Sequence, residues 1–123
     1  MKDEDRIRIQ HMIDASNEAF SFIEGITEEN FSKNRMIILS VIKDIEIIGE
    51  AASRISDEIK IRNSDVPWQD IIGMRNRLIH GYFDVDIKLV WNTTKNNFLL
   101  TNSKLYFKLF MQRMNICGYF NTL

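Results

Sequence analysis

From residue 32 to residue 60 the chain puts an apolar side chain at every third or fourth position, with no proline and a single glycine to interrupt it. Ile37, Ile38, Val41, Ile42, Ile45, Ile48, Ala52, Ile55 and Ile59 fall on one stripe of a helix, and Met36, Leu39, Ile47 and Ala51 widen it. Isoleucine is a weak helix former, so residues 36–48 also suit a strand. The length of the run and its three-four spacing decide for helix. A stripe this wide is more than one intramolecular face needs, which predicts a buried central helix or a helix at a subunit interface. Gly49, Ala51 and Ala52 would let a neighbouring helix approach closely.

The rest of the chain offers few ways out of helix, with one proline and five glycines in 123 residues. A first helix is predicted over about 3–24, with Ile9, Met12, Ile13, Phe20 and Ile23 as its apolar stripe and Asp3, Glu4 and Asp5 at the positive end of its dipole. Gly25 ends it, and Thr27 before Glu28 and Glu29 starts a short helical turn around Phe31. After the polar stretch KIRNSDV, Pro67 fits a first helical position, following Asp65 or Val66, and predicts a helix over 67–80 that Gly81 stops. Asp84 or Asp86 caps a further helix through Leu89, Val90 and Trp91. With no repeat and no alternating strand pattern, the fold expected is an all-α, up-and-down bundle of four to five helices, one domain over 1–123.

Composition excludes several function classes. Hydrophobic residues make up 45% and charged residues 27%, the profile of a globular chain. One cysteine, Cys117, rules out an internal disulfide, and the N-terminus MKDEDRIRIQ is charged from its second residue, as expected of a cytoplasmic protein without a signal peptide. No run reaches the ~18 apolar residues of a membrane span, so no membrane association is expected. The net charge of −1 conceals an asymmetry: residues 1–86 hold all 17 acids and 11 of the 16 Lys/Arg, whereas residues 87–123 hold five Lys/Arg and no acid. The basic segment could meet a polyanion or be merely solubilising.

The stretch MRNRLIHGYFDVD (residues 74–86) collects Arg75, Arg77, His80 and Tyr82 around a helix end. On the residues alone two readings stand. One is a basic helix terminus interacting with the dipole, with Tyr82 packed in the core. The other is a site, although Arg75 and His80 lie about 140° apart around one helix and are not same-face neighbours. Metal-ligand spacing and phosphate-cradling glycine loops are both absent, so neither metal nor cofactor is expected. His11, among polar neighbours, reads as an exposed histidine. Arg77 reads as surface, and Asn76, one turn before His80, as a candidate for orienting the imidazole. Glu50 either pairs with Arg54 one turn on or orients Arg75 across the bundle.

WQDIIGMRNRLIHGYFDVDIKLVW (residues 68–91) resembles the signature of the HepT-like toxins of the HEPN superfamily, whose R-x-x-x-x-H-x-Y motif falls on Arg75, His80 and Tyr82. IEIIGEAASRIS (residues 45–56) resembles a second block of that family, and the likeness covers roughly residues 1–96. The resemblance implies a helical homodimer whose two motifs line one cleft, and a metal-independent endoribonuclease that acts as the toxin of a type VII-like toxin–antitoxin pair. It implies an RNA substrate, transfer RNA being a candidate. It also implies an antitoxin of the MNT nucleotidyltransferase type that transfers AMP to the motif tyrosine, Tyr82. The alternative is a non-catalytic helical module that binds such a nucleotidyltransferase. A two-subunit cleft would remove the need for Arg75 and His80 to share a helix face. After about Asn97 the sequence FLLTNSKLYFKLFMQRMNICGYFNTL lacks any acid and leaves little polar face, a departure from the family pattern that predicts either a shifted coding frame or a diverged C-terminus.

Overall fold

The computed structural model describes residues 2–79 and 84–96, and within them the chain is helical without a strand. Its elements are α1 (Asp3–Ile23), α2 (Glu28–Lys33), α3 (Arg35–Ser53), α4 (Asp57–Arg62), α5 (Trp68–Leu78) and α6 (Ile87–Lys95). Six helices stand among the described residues, one more than expected, because the stretch 32–60 is two helices and not one. The break has a long-range cause. Asp5 of α1 is buried, and its carboxylate accepts from the Ser56 backbone N–H at 2.9 Å and the Ser56 hydroxyl at 2.8 Å. Ser56 is the N-cap of α4, so a carboxylate expected only to favour the α1 dipole instead satisfies the start of another helix.

Local signals place the other starts. The Thr27 side chain accepts from Asn30 N–H, Asn34 from Ile37 N–H and Asp86 from Leu89 N–H, each at 3.1 Å. Pro67 is the cap of α5 rather than its first residue. Gly25, just past α1, has φ +80°, a conformation that side-chain-bearing residues rarely adopt.

Helix α3 is the centre of the bundle, packed along α1 on one side and α5 on the other. One apolar cluster joins Ile9, Met12 and Ile13 of α1 to Ile48, Ala51 and Ala52 of α3, and to Ile59, Trp68 and Ile71. A second joins Ala19 and Ile23 to Phe31, Val41, Ile42, Ile45, Met74, Leu78, Val90 and Trp91. The start of α1 thus meets the end of α3, and the start of α5 meets that same end: the helices alternate up and down. Phe31 and Trp91 lock α2 to α6, their ring centroids 5.2 Å apart. Phe20 is not part of the stripe as expected. It is exposed, and the small residues Ala15, Ser16 and Ala19 take the buried positions of that stretch.

Helix α5 ends at Leu78, short of Gly81. Ile79 is extended and forms an isolated antiparallel bridge with Val85, and Asp86 N–H donates to Leu78 C=O at 2.9 Å. The last helical turn, where the dipole argument put His80, is therefore made by residues 75–78.

Asp44 of α3 is 1% exposed, with its Oδ2 unpartnered among the described residues. Burial, then a hydrogen bond with Glu18 and the Glu18 charge, raise its pKa to about 7. A carboxylate whose folded pKa lies above its unfolded value of 3.8 stabilises the fold while it keeps its proton. Its contribution is complete below about pH 4, declines as pH rises, and is gone above about 7, with a slope of at most ~1.4 kcal/mol per pH unit. Asp44→Asn is expected to flatten this slope and to stabilise the fold at pH 8 by roughly 1–3 kcal/mol. Denaturant midpoints at pH 5 and pH 8 measure both effects, and equal midpoints for the two proteins at pH 8 would contradict them.

Candidate active site

The register of α3 against α5 positions the site. Gly49 faces the α5 backbone so closely that a Cβ there would lie 3.3 Å from the Ile72 carbonyl oxygen and 3.4 Å from that of Ile71. The close approach expected of Gly49 is thus realised. The helices run antiparallel, so three residues back on α3 and three forward on α5 are again opposite one another. Those residues are Glu46 and Arg75. Arg75 Nε donates to Glu46 Oε1 at 3.2 Å, an ion pair whose members are each partly exposed.

Beside this pair lies an open groove of about 810 Å³ between α1, α3 and α5. Ile7, Ile47 and Ile72 give it apolar lining, and Arg8, His11, Lys43, Arg54 and Arg75 bring basic groups to it. Glu4, Glu46 and Glu50 are the acids on its lining. Arg8 is drawn to the Arg54 carbonyl at 3.1 Å, and Arg54 pairs with Glu50 at 2.8 Å. Among the described residues the terminal nitrogens of Arg75 bond nothing.

The residues expected from sequence divide as follows. Arg75, Asn76 and Glu50 line the same groove. Of the two arrangements open to Glu50, the structure adopts the intrahelical pair with Arg54, and the acid that reaches Arg75 is Glu46, one turn earlier. The sequence did carry a signal for Glu46: it is on the same face as Gly49 and Glu50, and Gly49 marks where another helix comes close. Arg77 points away, to the Asp70 carboxylate at 3.3 Å and the Asp70 carbonyl at 2.7 Å, a surface arrangement as expected. His11 is exposed, as expected, yet it is part of the groove. His80 and Tyr82 lie outside the described residues, as does the segment 97–123. Among the described residues no group of three or more His, Cys, Asp or Glu could hold a metal ion, and no helix is long and apolar enough to cross a membrane.

A guanidinium fixed through Nε, with its terminal nitrogens open beside a groove, can take two oxygens of a phosphate. A Methanocaldococcus jannaschii protein named as a candidate RNase is 36% identical over 86 residues, covering 70% of this chain and 79% of the relative. A similarly named protein of Caldanaerobacter subterraneus subsp. tengcongensis is 34% identical over 85 residues, covering 69% of this chain and 76% of the relative. A protein of Thermococcus cleftensis named as a probable ribonuclease HepT is 37% identical over 84 residues, covering 65% of this chain and 76% of the relative. No solved structure matches the chain. The family profile described as Ribonuclease HepT-like matches residues 12–107, which include Arg75, Glu46 and most of the groove and extend beyond Asn97. With most of its length inside that profile, the chain belongs to the ribonuclease HepT-like family.

Proposed function

We propose that this chain is a cytoplasmic, metal-independent endoribonuclease toxin, with Arg75, His80 and Tyr82 as its reacting constellation and a nucleotidyltransferase as its antitoxin. RNA carries its own nucleophile in the 2′-hydroxyl. Cleavage then needs a proton acceptor, a proton donor and stabilisation of the charge that grows at phosphorus. An imidazole does acid or base work near neutrality, and His80 supplies it. Arg75 grips the phosphate oxygens where negative charge develops. Tyr82 donates a hydrogen bond to phosphate and is the acceptor of AMP, whose bulk and charge there would block the cleft and repel RNA. Asn76 orients the imidazole. The observation that carries the reading is the display of the Arg75 guanidinium, held at Nε and without a bond to its other nitrogens among the described residues, beside a groove of about 810 Å³.

The reacting unit is a homodimer, with one histidine as acid and its counterpart as base. What supports this is the apolar surface left on α1 and α3: Met36 is 77% exposed, Ile7 54%, Leu39 46% and Phe22 36%. Apolar groups in that number along one pair of helices call for a partner, and a second copy covers them in the cytoplasm. The purified chain at micromolar concentration is expected to sediment as a dimer and to digest total RNA in the presence of a chelator. His80→Ala is expected to sediment identically and to lose cleavage. A monomer, or a His80→Ala protein that still cuts, contradicts the proposal. A chain that binds its nucleotidyltransferase but cuts no RNA is the non-catalytic module instead.

A further inference from the structure

We infer that Glu46 is the positioning residue of Arg75, holding its guanidinium in the orientation that grips phosphate; this rests on the ribonuclease reading above. The contact joins residues 29 apart in sequence and is set by backbone register. Gly49 brings α3 against Ile71 and Ile72 of α5, and the next turn of each helix delivers Glu46 and Arg75 to each other. The bond uses Nε alone, at 3.2 Å. It therefore restrains the plane of the guanidinium without engaging Nη1 or Nη2, which bond nothing among the described residues. An arginine without this contact would sample many rotamers at so exposed a position, and each productive encounter would bear that ordering cost.

The carboxylate has an opposing effect that makes its role measurable. A negative charge beside a phosphate site repels RNA, so through its field alone Glu46 weakens binding. If Glu46 only contributed charge, or only helped α3 and α5 pack, its neutralisation would leave turnover unchanged or improve it. If it positions Arg75, neutralisation leaves binding equal or tighter and lowers turnover, because the oriented fork matters most where charge develops in the transition state. Glu28, exposed in the first turn of α2 and outside the groove, is the control for the loss of one negative charge.

The experiment measures kcat and KM on a single-site RNA for the wild type, Glu46→Gln, Glu46→Ala and Glu28→Gln, each checked for an unchanged unfolding midpoint. Glu46→Ala is expected to lose about 10- to 100-fold in kcat with KM equal or lower, and Glu46→Gln, which keeps a neutral acceptor, to fall between it and the wild type. Glu28→Gln is expected to keep the wild-type kcat. A Glu46→Ala protein with the wild-type kcat overturns the inference. In parallel, arginine side-chain NMR follows the Arg75 Nε–H resonance, assigned by its loss in Arg75→Lys. It is expected to shift and broaden in Glu46→Ala, and an unchanged resonance overturns the inference by itself. If the wild type cuts no RNA, the ribonuclease reading fails, and the resonance still decides whether Glu46 holds Arg75.

Discussion

Arg75→Lys is expected to cleave RNA almost as poorly as Arg75→Ala, on the order of 10²-fold or more below the wild type. Lysine keeps the charge but has a single ammonium in place of a planar fork. The structure sharpens the expectation, because the ion pair with Glu46 occupies only the Nε of arginine and the two terminal nitrogens bond nothing among the described residues. An ammonium at the same position has one centre of charge, which the Glu46 carboxylate attracts away from the substrate. Rates under saturating RNA compare the three proteins. Full activity in Arg75→Lys would mean that Arg75 acts as a diffuse positive field and that geometry at this position does not matter.

Tyr82→Phe is expected to abolish modification by the nucleotidyltransferase and to reduce cleavage only in part. A phenylalanine has no oxygen to accept AMP, so that loss is complete. For cleavage the change removes one charge-assisted hydrogen bond, about 1.5–3 kcal/mol or roughly 10- to 100-fold. In cells, the variant is therefore expected to remain toxic and to escape the proposed antitoxin. Incubating the variant with the partner enzyme and labelled ATP tests the first half, and single-turnover cleavage tests the second. A Tyr82→Phe protein still labelled within the motif would remove Tyr82 as the acceptor.

Most helices of the bundle are legible in the sequence because their causes are local. The α1 stripe, the caps Thr27 and Asp86, and the isoleucine run of α3 each declare themselves within a few residues. What sequence reading misses comes from contacts made across the fold. The apolar stripe continues in phase from Ile48 through Ile55 to Ile59, so periodicity cannot see the break between α3 and α4. The break depends on Asp5, 51 residues away, although Ser56 before Asp57 and Glu58 is a local start signal within the stripe. Likewise α5 stops at Leu78 because Ile79 pairs with Val85, an event that an isolated reading of Gly81 as the stop does not anticipate.

Arg75 is singled out from a stretch that also holds Arg77 by the family motif, since the residues alone leave a basic helix terminus and a site both open; the structure adds that Arg75 lines the groove. Its partner is harder to find. Glu46 and Glu50 sit one turn apart on the same face, and only the antiparallel register fixed at Gly49 decides which of them meets Arg75. His11 shows the same limit from the other side. Its own surroundings mark it as surface, and the groove includes it only because α1 packs along α3.

The central claim is that this chain cuts RNA through the substrate's own 2′-hydroxyl, without a metal. An oligonucleotide carrying a mapped cleavage site, and the same oligonucleotide with one 2′-deoxy sugar at that site, separate this chemistry from others when both are incubated with the wild-type protein and excess chelator. The account predicts that the all-RNA strand is cut to leave a 2′,3′-cyclic phosphate and that the substituted strand is left intact at that position. Equal cleavage of the two strands, or an uncut RNA strand that is cut once a divalent metal is restored, would contradict it.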